Sequence, residues 1–158
     1  MKFRAPWGHE VKVVSLLGLV VMGVPTVRLL SQGVWVVGTL LLAILVVTVC
    51  LCVRGYELGP GELRVRRLFT ATRVPLAAPV RAIIRPHAMQ GSWRTWGNGG
   101  MLAISGHFSG SGLGRYRAYV TDPARTVVLE TARGIVVVSP DDPQAFPAAI
   151  ERAASPAA

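Results

Sequence analysis

The chain has 158 residues, of which 51% are hydrophobic, and it carries 17 Lys or Arg residues against 8 Asp or Glu residues. This length accommodates one ordinary domain, or a smaller domain with a membrane anchor. The basic excess suits an anionic lipid surface or a nucleic acid. Cys50 and Cys52 lie in an apolar run without nearby His, Asp or Glu, so we predict no metal site, no cofactor and no disulfide framework.

The first apolar segment, residues 13–27, carries no charge and follows three basic residues. A secretory signal has a similar core, but no cleavage site of small residues follows this one. Pro25 lies in what would be the last turn, and the sequence RLLSQG leads to a second apolar segment. We therefore predict the first helix of a transmembrane hairpin, with Arg28 reaching the interface.

The second apolar segment, residues 34–53, contains no charged residue. A helix of this length spans about 30 Å, the thickness of a hydrocarbon core. Trp35 lies near its start, where an interfacial aromatic is expected, and Arg54 follows its end. We predict a transmembrane helix over residues 34–53 and a membrane anchor over residues 1–54.

Basic residues are unequally distributed around the two predicted helices. Those before the first helix are Lys2, Arg4 and Lys12, the one between the helices is Arg28, and those after the second are Arg54, Arg64, Arg66, Arg67 and Arg73. Because basic residues favour the cytoplasmic side, both termini and the C-terminal domain are predicted to be cytoplasmic.

From residue 55 the chain changes to short apolar runs separated by turn residues. Residues 56–58 lead into GPG, and residues 62–69 begin with an alternation of apolar and basic side chains that is typical of a half-buried strand. Arg67 interrupts the alternation, which predicts a bulge or a change of register. Further strands are predicted at residues 82–85, 101–105, 116–121, 126–131 and 135–139. Residues 122–125 and 132–134 are predicted as hairpin turns joining the last three strands.

The C-terminal segment SPDDPQAFPAAIERAA predicts a helix. An aspartate of the SPDDP sequence can cap it, and Phe146 and Ile150 are spaced to face one core. Pro147 would disturb a helix interior, so the helix either begins late, near Phe146, or has a distorted first turn. Residues 153–158 are predicted to be a disordered tail.

The order of these segments resembles that of bacterial membrane proteins in which a pleckstrin-homology-like (PH-like) domain follows a helical hairpin. The resemblance rests on YELGPGELRVR, VPLAAPVRAIIRP, RTWGNGG, GHFSGSGLGRYRAYVTD and IVVVSPDDPQAF. It implies a mainly β domain over residues 55–152, with two crossed antiparallel sheets in a partly open barrel and a C-terminal capping helix. It also implies a multi-pass protein of the bacterial cytoplasmic membrane.

Two glycine-rich stretches could suggest a phosphate-binding loop. In WGNGG, Gly97 and Gly99 match the first two glycines of a dinucleotide loop, but Leu102 occupies the third position and a strand is predicted next. The series GSGLGR fails in the same way. A phosphate loop needs the start of a helix, so these glycines instead predict tight loops with positive φ.

Catalytic residues are not predicted either. On a strand, Ser105 and His107 share a face while Ser109 lies beyond it, and no nucleophile elbow is present. Acidic residues are few and lie at turns or termini. His107 and His87 are therefore interpreted as structural, and we expect a protein that is not an enzyme.

The basic residues after the anchor are the better functional candidates. Arg64, Arg66, Arg67 and Arg73 are predicted to lie against an anionic membrane surface or to hold a lipid headgroup. Each cation near such a surface contributes about 1 kcal/mol of attraction. The alternative interpretation is that they follow the positive-inside rule and solvate one face of a sheet.

The RTWGNGG stretch is interpreted as a glycine-rich loop that offers a contact surface. Its candidate residues are Arg94, Trp96, Gly97, Asn98 and Gly99. Stacking of single-stranded nucleic acid on Trp93 and Trp96 is disfavoured because no RNA-binding motif is present. Instead, we predict that Trp93 and Trp96 contact the membrane interface or a partner. The alternative interpretation is that Trp96 packs over the open end of the sheet.

Together these features predict an interaction or scaffolding module that recruits a protein partner or self-associates at the membrane. Headgroup sensing by the arginine-rich face is one alternative. An accessory subunit of a membrane enzyme or transporter is another.

Overall fold

A computed structural model describes residues 1–76, 79–99, 102–110 and 112–154. Helix α1 spans His9–Ser31 and helix α2 spans Trp35–Cys50. α1 is long and apolar enough to cross a membrane, whereas α2 is a shorter apolar helix. The two helices pack against each other across a tight turn.

Both helices differ in extent from the sequence prediction. α1 begins before residue 13 and continues through Pro25 to Ser31. α2 ends at Cys50 rather than at residue 53, so its 16 residues span about 24 Å. Cys52 and Val53 do not extend the helix, because they are buried beside the β domain at 7% and 0% exposure.

Four antiparallel strands form the first sheet, in the order β1-β2-β3-β4. They are β1 Lys2–Arg4, β2 Gly55–Gly59, β3 Glu62–Arg66 and β4 Ala71–Pro75. β1 comes before α1 in the chain and β2 comes after α2, yet the two strands pair, with Phe3 opposite Tyr56. The predicted anchor, residues 1–54, therefore contributes a strand to the β domain.

Six strands form the second sheet, in the order β5-β9-β10-β8-β7-β6. They are β5 Arg81–Ile84, β6 Ser92–Gly99, β7 Ile104–Gly110, β8 Gly114–Val120, β9 Val127–Thr131 and β10 Gly134–Val138. All neighbouring pairs are antiparallel except β8 and β10, which are parallel.

The last three strands are connected differently from the prediction. The β9–β10 hairpin turns at residues 132–133, as expected. Residues Pro123–Arg125, however, form a 3-10 turn that leads away from β8, because β10 lies between β8 and β9. The interruption expected at Arg67 is a turn in which the Arg67 nitrogen donates to the Thr70 carbonyl, and the following strand β4 was missed.

Helix α3, Ala145–Ala154, packs on the first and second sheets through β2 and β5. Asp142 caps it by accepting hydrogen bonds from the nitrogens of Gln144 and Ala145. Pro147 is tolerated because it lies in the first turn. Of the predicted tail, residues 153–154 belong to α3 and residues 155–158 lie outside the described residues.

The core lies between the two sheets and α3. Phe146 is fully buried and contacts the ring of Phe3 at a centroid distance of 4.9 Å, which joins the first strand to the last helix. Tyr56, Leu63, Leu129 and Ile150 belong to the same buried cluster. The predicted fold class is confirmed: N-terminal helices, a mainly β domain of two sheets that do not close, and a C-terminal helix.

Candidate binding site

The six-stranded sheet extends beyond β4, the edge strand of the four-stranded sheet. An open cleft of about 750 Å³ lies there, on the face of the six-stranded sheet that packs against the four-stranded one. Its basic side chains are Arg73, Arg115, Arg117, Arg133 and His107. We call this feature the basic cleft. None of the described residues that line it is acidic.

Strand register explains how these side chains converge. Arg117 lies opposite His107, and Arg115 lies opposite Ser109, in the antiparallel pair of β7 and β8. Because every second residue of a strand shares a face, Arg115 and Arg117 project from the same side. Arg117 Nε donates to His107 Nε2 over 3.2 Å, which orients both side chains at the cleft surface.

The charge of the basic cleft is not neutralised within the described part of the chain. There, no carboxylate lies within ion-pair distance of Arg73, Arg115, Arg117 or Arg133. The apolar part of the lining includes Val74, Pro75 and Val136. The cleft therefore combines several guanidinium groups with an apolar wall.

Residues 94–99 of the RTWGNGG stretch form a strand and not the loop predicted from its glycines, and Gly100 lies outside the described residues. They form most of β6, the edge strand of the six-stranded sheet. Gly97 has φ +118° and faces Gly106, and a Cβ at Gly97 would collide with the Ser105 carbonyl. These glycines allow two strand backbones to approach closely, so their role is structural.

Three of the candidate contact residues of β6, Arg94, Trp96 and Gly97, line a shallow surface depression. Trp96 is 79% exposed and lines the basic cleft, whereas Arg94 is exposed outside it. A register shift between Arg94 and Trp96 accommodates the extra residue Thr95. Asn98 and Gly99 end the strand, opposite Ser105 and Ile104.

The four arginines predicted to face the membrane are also divided. Arg64 and Arg66 project from the outer face of β3, where they pair with Glu62 and Glu57. Arg73 lies opposite Arg64 on β4 and lines the basic cleft. Arg67 is half-buried, with its guanidinium carbon 5.8 Å from the centre of the Tyr119 ring.

The end of the β domain next to the helices carries a second notable surface. The Arg54 nitrogen donates to the Arg66 carbonyl over 2.8 Å, so the turn after Arg66 lies where α2 leads into β2. Phe69 in that turn is 79% exposed. On the other side, the Leu102 nitrogen donates to Ser15 of α1 over 2.7 Å.

Sequence reasoning missed most of the basic cleft. His107 was interpreted as structural, and Arg115, Arg117 and Arg133 were not selected. The alternation Arg115-x-Arg117 was the available signal, since it places two cations on one strand face. Its significance depended on the pairing of β8 with β7 and β10, which the sequence did not reveal.

Comparison with known families places residues 54–154 under a family model described as "Bacterial PH domain". The matched region begins just before β2 and ends with α3. It therefore contains every strand except β1, together with the entire basic cleft. Searches of curated proteins and of solved structures gave no match.

Proposed function

The chain belongs to the bacterial PH domain family, and we propose that it is an integral membrane protein whose PH domain is a protein-interaction or scaffolding module on the cytoplasmic membrane face. Its partner is another protein or a second copy of the chain. No catalytic step is part of this function.

Membrane insertion is supported by the surfaces of both helices. Apolar side chains that are more than half exposed occur along α1 and α2: Leu16, Leu17, Val20, Val21, Val24, Val27, Val36, Leu40, Val46 and Val47. Only 11% of the apolar stretch of α1 is buried within the protein. A bilayer would cover this surface, which is far more apolar than that of a water-exposed helix.

The pairing of β1 with β2 is the observation that carries the proposal. These strands flank the two helices in sequence and lie side by side in one sheet. Both ends of the helical pair therefore meet the PH domain, which supports an arrangement with the N-terminal strand and the domain on the same side of the membrane. The cations around that end favour the cytoplasm as this side.

A pair of topology reporters tests the arrangement. A reporter fused after residue 158 is expected to be active only in the cytoplasm, and one inserted between Gln32 and Gly33 only outside it. Cytoplasmic activity from both positions would contradict the hairpin. Activity of the first reporter only outside the cytoplasm, and of the second only inside it, would contradict the orientation.

The partner-binding role is supported by β6. It is an edge strand with unpaired backbone groups on one side, and it exposes Trp93 by 75% and Trp96 by 79%. A photo-crosslinking amino acid at Trp93 is expected to capture a discrete partner in intact cells. The same probe at exposed Arg152 on α3 is the control. Absence of an adduct at position 93 would contradict a partner on β6.

Contact with anionic lipid is a second candidate function, favoured by the turn that follows β3. Exposed Phe69 follows Arg66 and Arg67 at the helix end of the domain. There, the two cations can bind anionic headgroups while the Phe69 ring inserts into the bilayer below them. In bilayers with brominated lipid, Phe69→Trp is expected to add quenchable fluorescence. Ala132→Trp, in the β9–β10 turn, is the control that should add only unquenched fluorescence.

A further inference from the structure

We infer that the basic cleft binds a small organic anion that carries a phosphate group and an adjoining apolar or ring portion. This inference goes beyond recruitment of a protein at the membrane. It concerns a different surface from the Phe69 turn and requires no contact with lipid.

The charge of the cleft favours a phosphate. Four arginines line one cleft, and none of the described lining residues is acidic. Guanidinium groups match phosphate geometry through paired hydrogen bonds. A phosphate monoester carries nearly two negative charges at neutral pH, so one such group can be shared by Arg115 and Arg117, which lie about 7 Å apart along β8.

The shape of the cleft favours a ligand larger than inorganic phosphate. Its volume of about 750 Å³ falls in the range of pockets that hold small organic molecules. Trp96 forms one wall, and Val74, Pro75 and Val136 contribute apolar surface. An aromatic or aliphatic group attached to the phosphate would cover this surface and gain affinity.

The position of the cleft favours a soluble source for the ligand. The Gly8 nitrogen, just before α1, donates to the Thr121 carbonyl over 2.8 Å, so the end of β8 lies beside the start of the helix. Arg115 precedes Val120 by five residues, or about 16 Å along the strand. A lipid headgroup has the same chemistry but would have to reach this distance from the helix end to contact Arg115, whereas Arg73 lies only two residues along β4 from Ala71, beside the helix end.

Calorimetric titration of the full chain in phosphatidylcholine nanodiscs tests the inference, with phenyl phosphate as the probe. Saturable binding is expected, and Arg115→Ala/Arg117→Ala should weaken it by about tenfold or more. Because Arg133 lies in a turn, Arg133→Ala is a second test of the cleft that leaves the paired strands unchanged. Arg81→Ala/Arg152→Ala removes the same charge outside the cleft and should change affinity by less than about twofold.

A second set of nanodiscs, containing phosphatidic acid, separates the two sources. If phosphatidic acid leaves the affinity for phenyl phosphate unchanged, the ligand is a soluble one. If phosphatidic acid weakens the binding of phenyl phosphate to wild type but not to Arg115→Ala/Arg117→Ala, a lipid headgroup competes for the cleft. The inference is overturned if phenyl phosphate does not bind saturably or if the control pair weakens binding equally. Binding of a polyglutamate peptide without binding of phenyl phosphate also overturns it.

Discussion

Ser15, on the second turn of α1, accepts a hydrogen bond of 2.7 Å from the backbone nitrogen of Leu102, and both residues are buried. Leu102 lies between β6 and β7, far from α1 in sequence. The Cys52 thiol, just after α2, also donates to the Leu102 carbonyl, over 3.4 Å. The β domain is therefore fixed to both helices and is not suspended from a flexible linker.

Ser15→Ala is expected to lower the free energy of unfolding by about 1 to 3 kcal/mol, because it leaves the buried Leu102 nitrogen without an acceptor. Thermal unfolding of the full chain in detergent measures this effect. Thr39→Ala is the matched control, since the Thr39 hydroxyl is exposed and donates only to carbonyls of its own helix. Equal losses in the two variants would show that the contact between Ser15 and Leu102 contributes nothing specific.

Gly38→Leu is expected to separate the start of α2 from the end of α1. A Cβ at Gly38 would lie 2.6 Å from Leu30 Cδ2 and 3.3 Å from the Leu30 nitrogen, so a large side chain cannot be accommodated. Overpacking of this kind costs about 1 to 3 kcal/mol. Gly23→Leu is the control, because a Cβ at Gly23 would have no neighbouring atom within 4 Å. The melting temperature should fall for Gly38→Leu only.

Tyr56→Phe is expected to destabilise the junction between the two sheets by about 1 to 3 kcal/mol. The buried Tyr56 hydroxyl donates to the Tyr119 carbonyl over 2.5 Å and accepts from the Ser139 nitrogen over 3.1 Å. Ser139→Ala removes part of the same network, since its hydroxyl accepts from the Thr121 nitrogen. The double variant should therefore lose less stability than the two single losses added together. Strict additivity would argue against a shared network.

The same hydroxyl predicts a pH dependence. Burial raises the pKa of Tyr56 to about 12, above the ordinary tyrosine value near 10. The folded state thus retains a proton that the unfolded state releases, so stability is fully present below pH 10 and declines as the pH rises toward 12. Wild type should lose stability faster than Tyr56→Phe over this interval, as measured by denaturant titration. Parallel pH profiles would contradict the assignment.

The fold could be predicted largely because its signals are local. The apolar residues of α2, the alternation in β3, and the spacing of Phe146 and Ile150 each report the environment of one element. β1 is too short to carry such a pattern, and β6 contains glycines that normally indicate a loop. Both become strands only because a distant segment offers hydrogen bonds, which local sequence does not encode.

The candidate site was less predictable than the fold. Arg64 and Arg66 were selected because they lie close to the anchor in sequence, yet Glu62 and Glu57 partly neutralise them. Arg117 lies on β8 and Arg133 lies in the turn before β10, and they line the same cleft only because β8 and β10 pair in parallel. Proximity in sequence therefore identified the cations that follow the helices, while sheet topology determined which cations share a cleft.

The pairing of β1 with β2 also constrains how the protein can fold and change in length. β1 is synthesised before either helix but finds its partner only after both have been made, so the helices and the sheet must be completed together. A shift of β1 by one residue would turn Phe3 away from Phe146 and bring Lys2 and Arg4 toward the core. Insertions at the helical turn near Gly33 leave this register unchanged. Insertions between Arg4 and His9, or between Cys50 and Gly55, would force the membrane segment and the sheet out of alignment.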